Sequence, residues 1–173
     1  MSYQWSHYIN SMGDCGSSPS EARHRDCIFD AMEFAWLPRQ CFDPELQERF
    51  LSLREWVWYL DQAGTVPADG KLVLSGFYEE LYATQEYHVF HCTYMWRKIH
   101  QALLDGSLID GYIGDTHHTA HCERQIATFW DLNLNDTSTP VYVKYANCPK
   151  ELNGLGRMGW YRMINGKKVH RDP

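Results

Sequence analysis

Thr84-Gln85-Glu86-Tyr87-His88-Val89-Phe90-His91-Cys92 and Asp115-Thr116-His117-His118-Thr119-Ala120-His121-Cys122 carry one pattern twice, His-x-x-His-Cys, each time behind a residue able to cap a helix. Residues three and four apart share a helix face. Each copy therefore presents two imidazoles and a sulfur from a single turn, and two such turns packed together make a metal site.

The first motif sits in a predicted helix that begins at Phe77 or Thr84 and runs to Leu104, with the inward stripe His88, His91, Cys92, Met95, Ile99, Ala102 and Leu103. The second helix starts at Asp115 or Thr116 and continues through Gln125 and Phe129 to an Asn-rich turn. Upstream, Ser18-Pro19-Ser20-Glu21 has the form of a capped start and predicts a helix from Pro19 to about Trp36. Asp43-Pro44-Glu45 opens another, whose stripe Leu46, Phe50, Leu53, Val57 and Leu60 lasts until Gly64. A loop follows to Gly76, with a short strand at Lys71 to Leu74. Downstream, Val141 to Tyr145 alternates like a strand, Cys148 to Gly159 wraps over the surface, and Asn165-Gly166 joins a hairpin between Trp160 to Ile164 and Lys167 to His170.

The expectation is a mainly α protein: a single helical domain stapled by disulfides, with a small β-hairpin or short sheet near the C-terminus. It divides into an N-terminal arm (1–17), a helical metal-binding catalytic domain (18–147) and a C-terminal wrap and hairpin (148–173). The 173 residues, 44% of them hydrophobic, suffice for one core. A net charge of -6 without a basic run argues against nucleic acid or an anionic membrane surface as partner, and for a small molecule or peptide. The sequence has neither the ~18 to 20 apolar residues of a membrane span nor a signal-peptide pattern, so it is expected to be soluble as given. Any anchoring or export segment of the native protein is expected to lie outside it. Six cysteines, Cys15, Cys27, Cys41, Cys92, Cys122 and Cys148, allow fifteen sets of three disulfides in an oxidising compartment, the first of two options, and would be thiols or ligands in the cytosol. The glycosylation triplet Asn135-Asp136-Thr137 points to the first option, in the lumen of the secretory pathway.

A single inward histidine is ordinarily a core residue with satisfied ring nitrogens. Four of them, on two apolar stripes, would be desolvated together unless something binds their lone pairs, and a transition metal does that. With Cys92 and Cys122 as thiolates, the site would suit structural zinc. With the sulfurs oxidised to disulfides, four histidines remain, and an imidazole-only site with open positions suits redox copper, which binds dioxygen or peroxide. The paired placement favours copper, because a disulfide uniting the two motifs, or tying each to another cysteine, would fix the helices so that the rings converge, and a thiolate beside copper would risk its own oxidation. His118, in the first turn of its helix, is kept neutral by the macrodipole. His117 reads first as a solvent-side residue and second as a fifth ligand or outer donor, and His100 is structural or exposed. Tyr87, Tyr94, Trp96 and Tyr112 read first as core and second as pocket lining. Asp110 and Asp115 are placed to hydrogen-bond a ligand imidazole, Asp115 equally to cap its helix.

The doubled motif, HVFHC and HTAHC with Arg124-Gln125 after the second copy, resembles the UstYa-like family of fungal copper-dependent oxidases of secondary-metabolite biosynthesis. CGSSPSEARHRDC, continuing to AWLPRQC, is similar to a pattern in one branch of that family, so the resemblance runs from Cys15 to Cys148. It implies a copper enzyme, tethered in secretory membranes by an N-terminal helix, that functionalises unactivated C–H bonds of peptide or polyketide-type natural products by cyclisation, desaturation, hydroxylation or halogenation. It also implies His88, His91, His118 and His121 as metal ligands and catalytic residues. The sequence departs from the family in lacking the membrane helix, in having Phe90 where leucine is frequent, and in having Phe129-Trp130-Asp131 where many members place a further cysteine. Two other readings stand beside it: a zinc-binding module with Cys92 and Cys122 as ligands, and a disulfide-stapled secreted binding protein whose histidines are incidental.

Overall fold

The computed structural model describes residues 14–149 and 159–170. Ser18 caps a helix, its Oγ accepting from the Glu21 amide at 3.2 Å. That helix, α1 (Pro19–His24), ends after one and a half turns instead of reaching Trp36. At Asp26 φ is 59°, and the disulfide Cys15–Cys27 pulls the chain out of the helical path. A hairpin follows, β1 (Cys27–Asp30) and β2 (Ala35–Pro38), with Cys27 opposite Pro38 and Asp30 opposite Ala35. Phe29, Trp36 and Leu37 are buried from it, and packing of aromatic and branched side chains on a sheet outweighs a helical pattern over so short a stretch.

Asp43 starts α2 (Pro44–Ser52) by accepting from the Leu46 amide at 2.9 Å. Leu46 and Phe50 are buried, but Val57 and Leu60 are 40% and 49% exposed, because the chain beyond Ser52 is extended and Tyr59 bridges to Pro67 and Tyr82. Where a strand was expected, Asp69 caps the short α3 (Gly70–Leu74), its carboxylate accepting the Lys71 and Leu72 amides. After β3 (Glu80–Ala83), the helices α4 (Gln85–Asp105) and α5 (Thr116–Ala127) begin at caps Thr84 and Asp115, in each case one of the two starts that the sequence allows. Then come β4 (Thr139–Tyr142), β5 (Lys144–Ala146), β6 (Trp160–Ile164) and β7 (Lys167–Val169). The β6–β7 turn has φ of 49° at Asn165 and 74° at Gly166, as expected of an Asn-Gly hairpin. Most of the wrap expected from Cys148 to Gly159 lies outside the described residues.

The mainly α expectation is corrected by the sheets. A five-stranded mixed sheet in the order β1-β2-β5-β6-β7 accompanies a two-stranded sheet of β3 and β4. β2 and β5 pair in parallel, and the other neighbours in the larger sheet are antiparallel. The helix pair α4–α5 is thus one half of an α+β arrangement. Strands of three to five residues are too short to declare themselves by alternation.

Three disulfides join Cys15 to Cys27, Cys41 to Cys148, and Cys92 to Cys122. They fit folding in an oxidising, secretory-type compartment. No helix among the described residues is long and apolar enough to cross a membrane. The bridge between the two motif cysteines closes a 30-residue separation, for which chain entropy gives about 3 to 4 kcal/mol. The double variant Cys92→Ser, Cys122→Ser is expected to lose about that much in urea unfolding. A loss below about 1 kcal/mol would mean that the packing of α4 on α5 alone fixes the pair.

Candidate metal centre

α4 and α5 bring the two motifs face to face. His88 Nε2 lies 2.8 Å from His121 Nε2, and His91 Nε2 lies 3.2 Å from His118 Nε2. Two nitrogens each ~2.0 to 2.1 Å from one ion stand roughly 2.8 to 3.4 Å apart at bond angles of about 90° to 110°, so both spacings fit a shared ion. Cys92 and Cys122 stand beside the two pairs, the Cys122 sulfur 3.5 Å from His118 Nε2. Because they are bonded to each other, they lock the helices and have no thiolate to give. Gln125 adds a side-chain tie, donating to the Gln85 carbonyl at 2.6 Å.

The rings are poor proton acceptors. Burial, then the neighbouring His121 and the Lys144 cation, lower His88 to about 3. Burial with His118 and Lys144 drives His91 well below its usual value, and burial with Lys144, His121 and His88 does the same to His118. The imidazoles are therefore neutral at physiological pH, with lone pairs for a metal. His91 Nδ1 lies 2.7 Å from the Met32 carbonyl oxygen, which can only accept. The proton must sit on Nδ1, and the Nε2 lone pair faces His118.

That carbonyl is presented by the β1–β2 turn. Asp30 Oδ1 accepts the amides of Met32 at 2.8 Å and Glu33 at 3.1 Å, and Phe34 closes the turn at φ 55°. Asp110 builds a matching turn by accepting the amides of Tyr112 and Ile113. Between them lies Lys98 on α4, paired with Glu33 and, at 3.1 Å, with Asp110. All four groups are buried. Burial raises Asp30 to about 6, against the pull of Lys98, and raises Glu33 well above the usual carboxylate range, helped by the charge of Asp110. The Lys98 cation is shared among these buried carboxyls and opposes the effect of their burial.

The Tyr112 ring lies against His118, tilted by 33° with centroids 4.1 Å apart, and meets Trp160 edge-on at 5.2 Å. Gly111 makes this possible: its Cα packs on the Gly159 backbone, where any Cβ would overlap the Gly159 carbonyl, while its amide donates to the Asn147 oxygen at 2.9 Å. Lys144 is buried over the Tyr112 ring, its Nζ 4.5 Å from the centroid and donating to the carbonyls of Glu33 and Tyr142 at 3.1 Å. A cavity of about 260 Å³ opens beside the histidines, with His88, His91, His121, Glu33, Tyr112 and Tyr142 in its wall. His118 lies behind that wall, buried.

His88, His91, His118 and His121 thus meet at one place. His117 and His100 are exposed. Tyr112 and Tyr87 line the cavity, while Trp96 is 38% exposed and Tyr94 packs edge-on against Phe50 at 5.4 Å. Neither aspartate expected behind a ligand ring is found there: Asp110 serves Lys98, and Asp115 caps α5 and accepts from Trp160 Nε1 at 3.2 Å. The Met32 carbonyl, Glu33, Lys98 and Lys144 are the residues that sequence reasoning did not find. Only Lys98 left a trace, as a cation three residues after Met95 on the stripe.

Two curated proteins of Diaporthe leptostromiformis, phomopsin biosynthesis cluster proteins B and B′, are each 32% identical to the chain over 129 residues, covering 69% of it. The match covers 38% of each of them, so the chain spans about two fifths of the length of the curated relatives it matches. No family model matches the chain, and no solved structure matches it. The chain is a relative of proteins from a fungal natural-product biosynthesis cluster.

Proposed function

We propose that His88, His91, His118 and His121 hold copper and that the chain is a copper-dependent oxidoreductase of the UstYa-like kind, functionalising unactivated C–H bonds of a fungal peptide or polyketide-type natural product. The observation that carries this reading is the meeting of four imidazoles, in pairs at 2.8 and 3.2 Å, in and behind the wall of a cavity. Copper would supply one-electron oxidation with dioxygen or peroxide as co-substrate. The Met32 carbonyl orients His91, the bridge Cys92–Cys122 holds the two helical turns in register, and Tyr112 covers His118 from solvent. Glu33 stands in the cavity wall, its carboxyl raised by burial and paired with Lys98. The biosynthetic setting of the relatives supports a tailoring step, with cyclisation, desaturation, hydroxylation and halogenation as its outcomes.

Dialysis of the copper-loaded chain against a weak chelator tests this together with alkylation of the native protein. Copper should be retained, and no cysteine should label. Release of all copper, or labelling of Cys92 and Cys122, would return the site to zinc or to no metal.

A further inference from the structure

Tyr142 separates the histidine cavity from a second one of about 310 Å³, which Arg162 lines. Arg162 is 7% exposed, its guanidinium carbon lies 4.3 Å from the centre of the Tyr142 ring, and its buried Nε has no hydrogen-bond partner among the described residues. Among the described residues it forms no ion pair. β5 and β6 pair Tyr145 with Tyr161 and Ala146 with Trp160, and one further step in that register sets Lys144 opposite Arg162. Like charges opposite each other in a sheet destabilise it. Lys144 is turned toward the carbonyls of Glu33 and Tyr142, whereas the guanidinium keeps donor capacity at a cavity wall, where an anion would relieve both costs.

We propose that Arg162 anchors a carboxylate of the substrate, so that the compound reaching the histidines past Tyr142 is an organic acid. A planar guanidinium matches a carboxylate through two parallel N–H···O bonds, and Asn165 brings an amide to the same cavity. Tyr142 and Met163 give it apolar walls that suit an amphipathic ligand over an inorganic ion. Glu79 and Glu80, exposed at the same cavity, repel a multiply charged anion such as phosphate more than a single carboxylate. The proposal rests on the copper reading only for which end of the ligand is transformed; the binding does not require metal.

Calorimetric titration of the metal-free chain with acetyl-alanyl-phenylalanine and with its C-terminal amide tests it. The free acid should bind about tenfold or more tightly than the amide, and acetate should displace it where equal phosphate does not. Arg162→Met should erase the preference and Arg162→Lys keep part of it, both retaining the copper content of the wild type. Equal or no binding of acid and amide by the wild type, or equal displacement by phosphate, would overturn the proposal. A wild type that prefers the acid but holds no copper would instead overturn the metal reading alone.

Discussion

Lys98→Met is expected to destabilise the fold by about 3 to 5 kcal/mol at neutral pH, the usual cost of removing one partner from a buried ion pair. Lys98 is 4% exposed, and Glu33 and Asp110, its two partners, are both fully buried. Methionine matches the stem but leaves three carboxyls with no cation among them. The deficit should depend on pH. In the wild type Asp30, at about 6 in the fold against about 4 in the unfolded chain, holds a proton that unfolding releases. Its contribution is complete below the unfolded value and is lost as pH rises toward 6. Glu33, also raised by burial, behaves in the same sense. Without Lys98 both carboxyls rise further, so the variant should lose stability more steeply toward neutrality, and the gap to wild type should narrow near pH 4. Urea midpoints across that range check this; a constant gap, or one below about 1 kcal/mol, would mean that the cluster is not held by charge.

The second large effect is at the histidines. His91→Ala should weaken copper binding by more than about a hundredfold, because loss of an outer hydrogen bond alone costs about 10- to 100-fold and His91 supplies the ligand itself. It also removes the group that joins α4 to the β1–β2 turn through the Met32 carbonyl. Competition with a fluorescent copper chelator measures the change. A drop of less than tenfold would exclude His91 from the coordinating set.

The candidate site was legible in the sequence because it is built from two helical turns. Spacing of three and four residues dictates which side chains share a face, and the sequence narrowed each helix start to two residues, of which the fold uses Thr84 and Asp115 as caps. The sheet was not legible. Cys27–Asp30 and Ala35–Pro38 are short and mostly buried, so they show no alternation, and the start at Ser18 was correctly read but extended too far. The supporting residues were hidden for another reason. A carbonyl such as that of Met32 carries no side-chain signature, and Lys98 and Lys144 are buried by partners that arrive from 65 and 111 positions away. Periodicity reports which face is inward; it does not report what meets that face.

The most direct measurement is pulsed EPR on the copper-loaded chain, reading nitrogen couplings from coordinated imidazoles in the wild type and in the alanine variants of His88, His91, His118 and His121. The account predicts stoichiometric copper with imidazole coupling in the wild type, and altered coupling in each of the four variants. Absence of imidazole coupling in the wild type, or the same spectrum in all four variants, would contradict it.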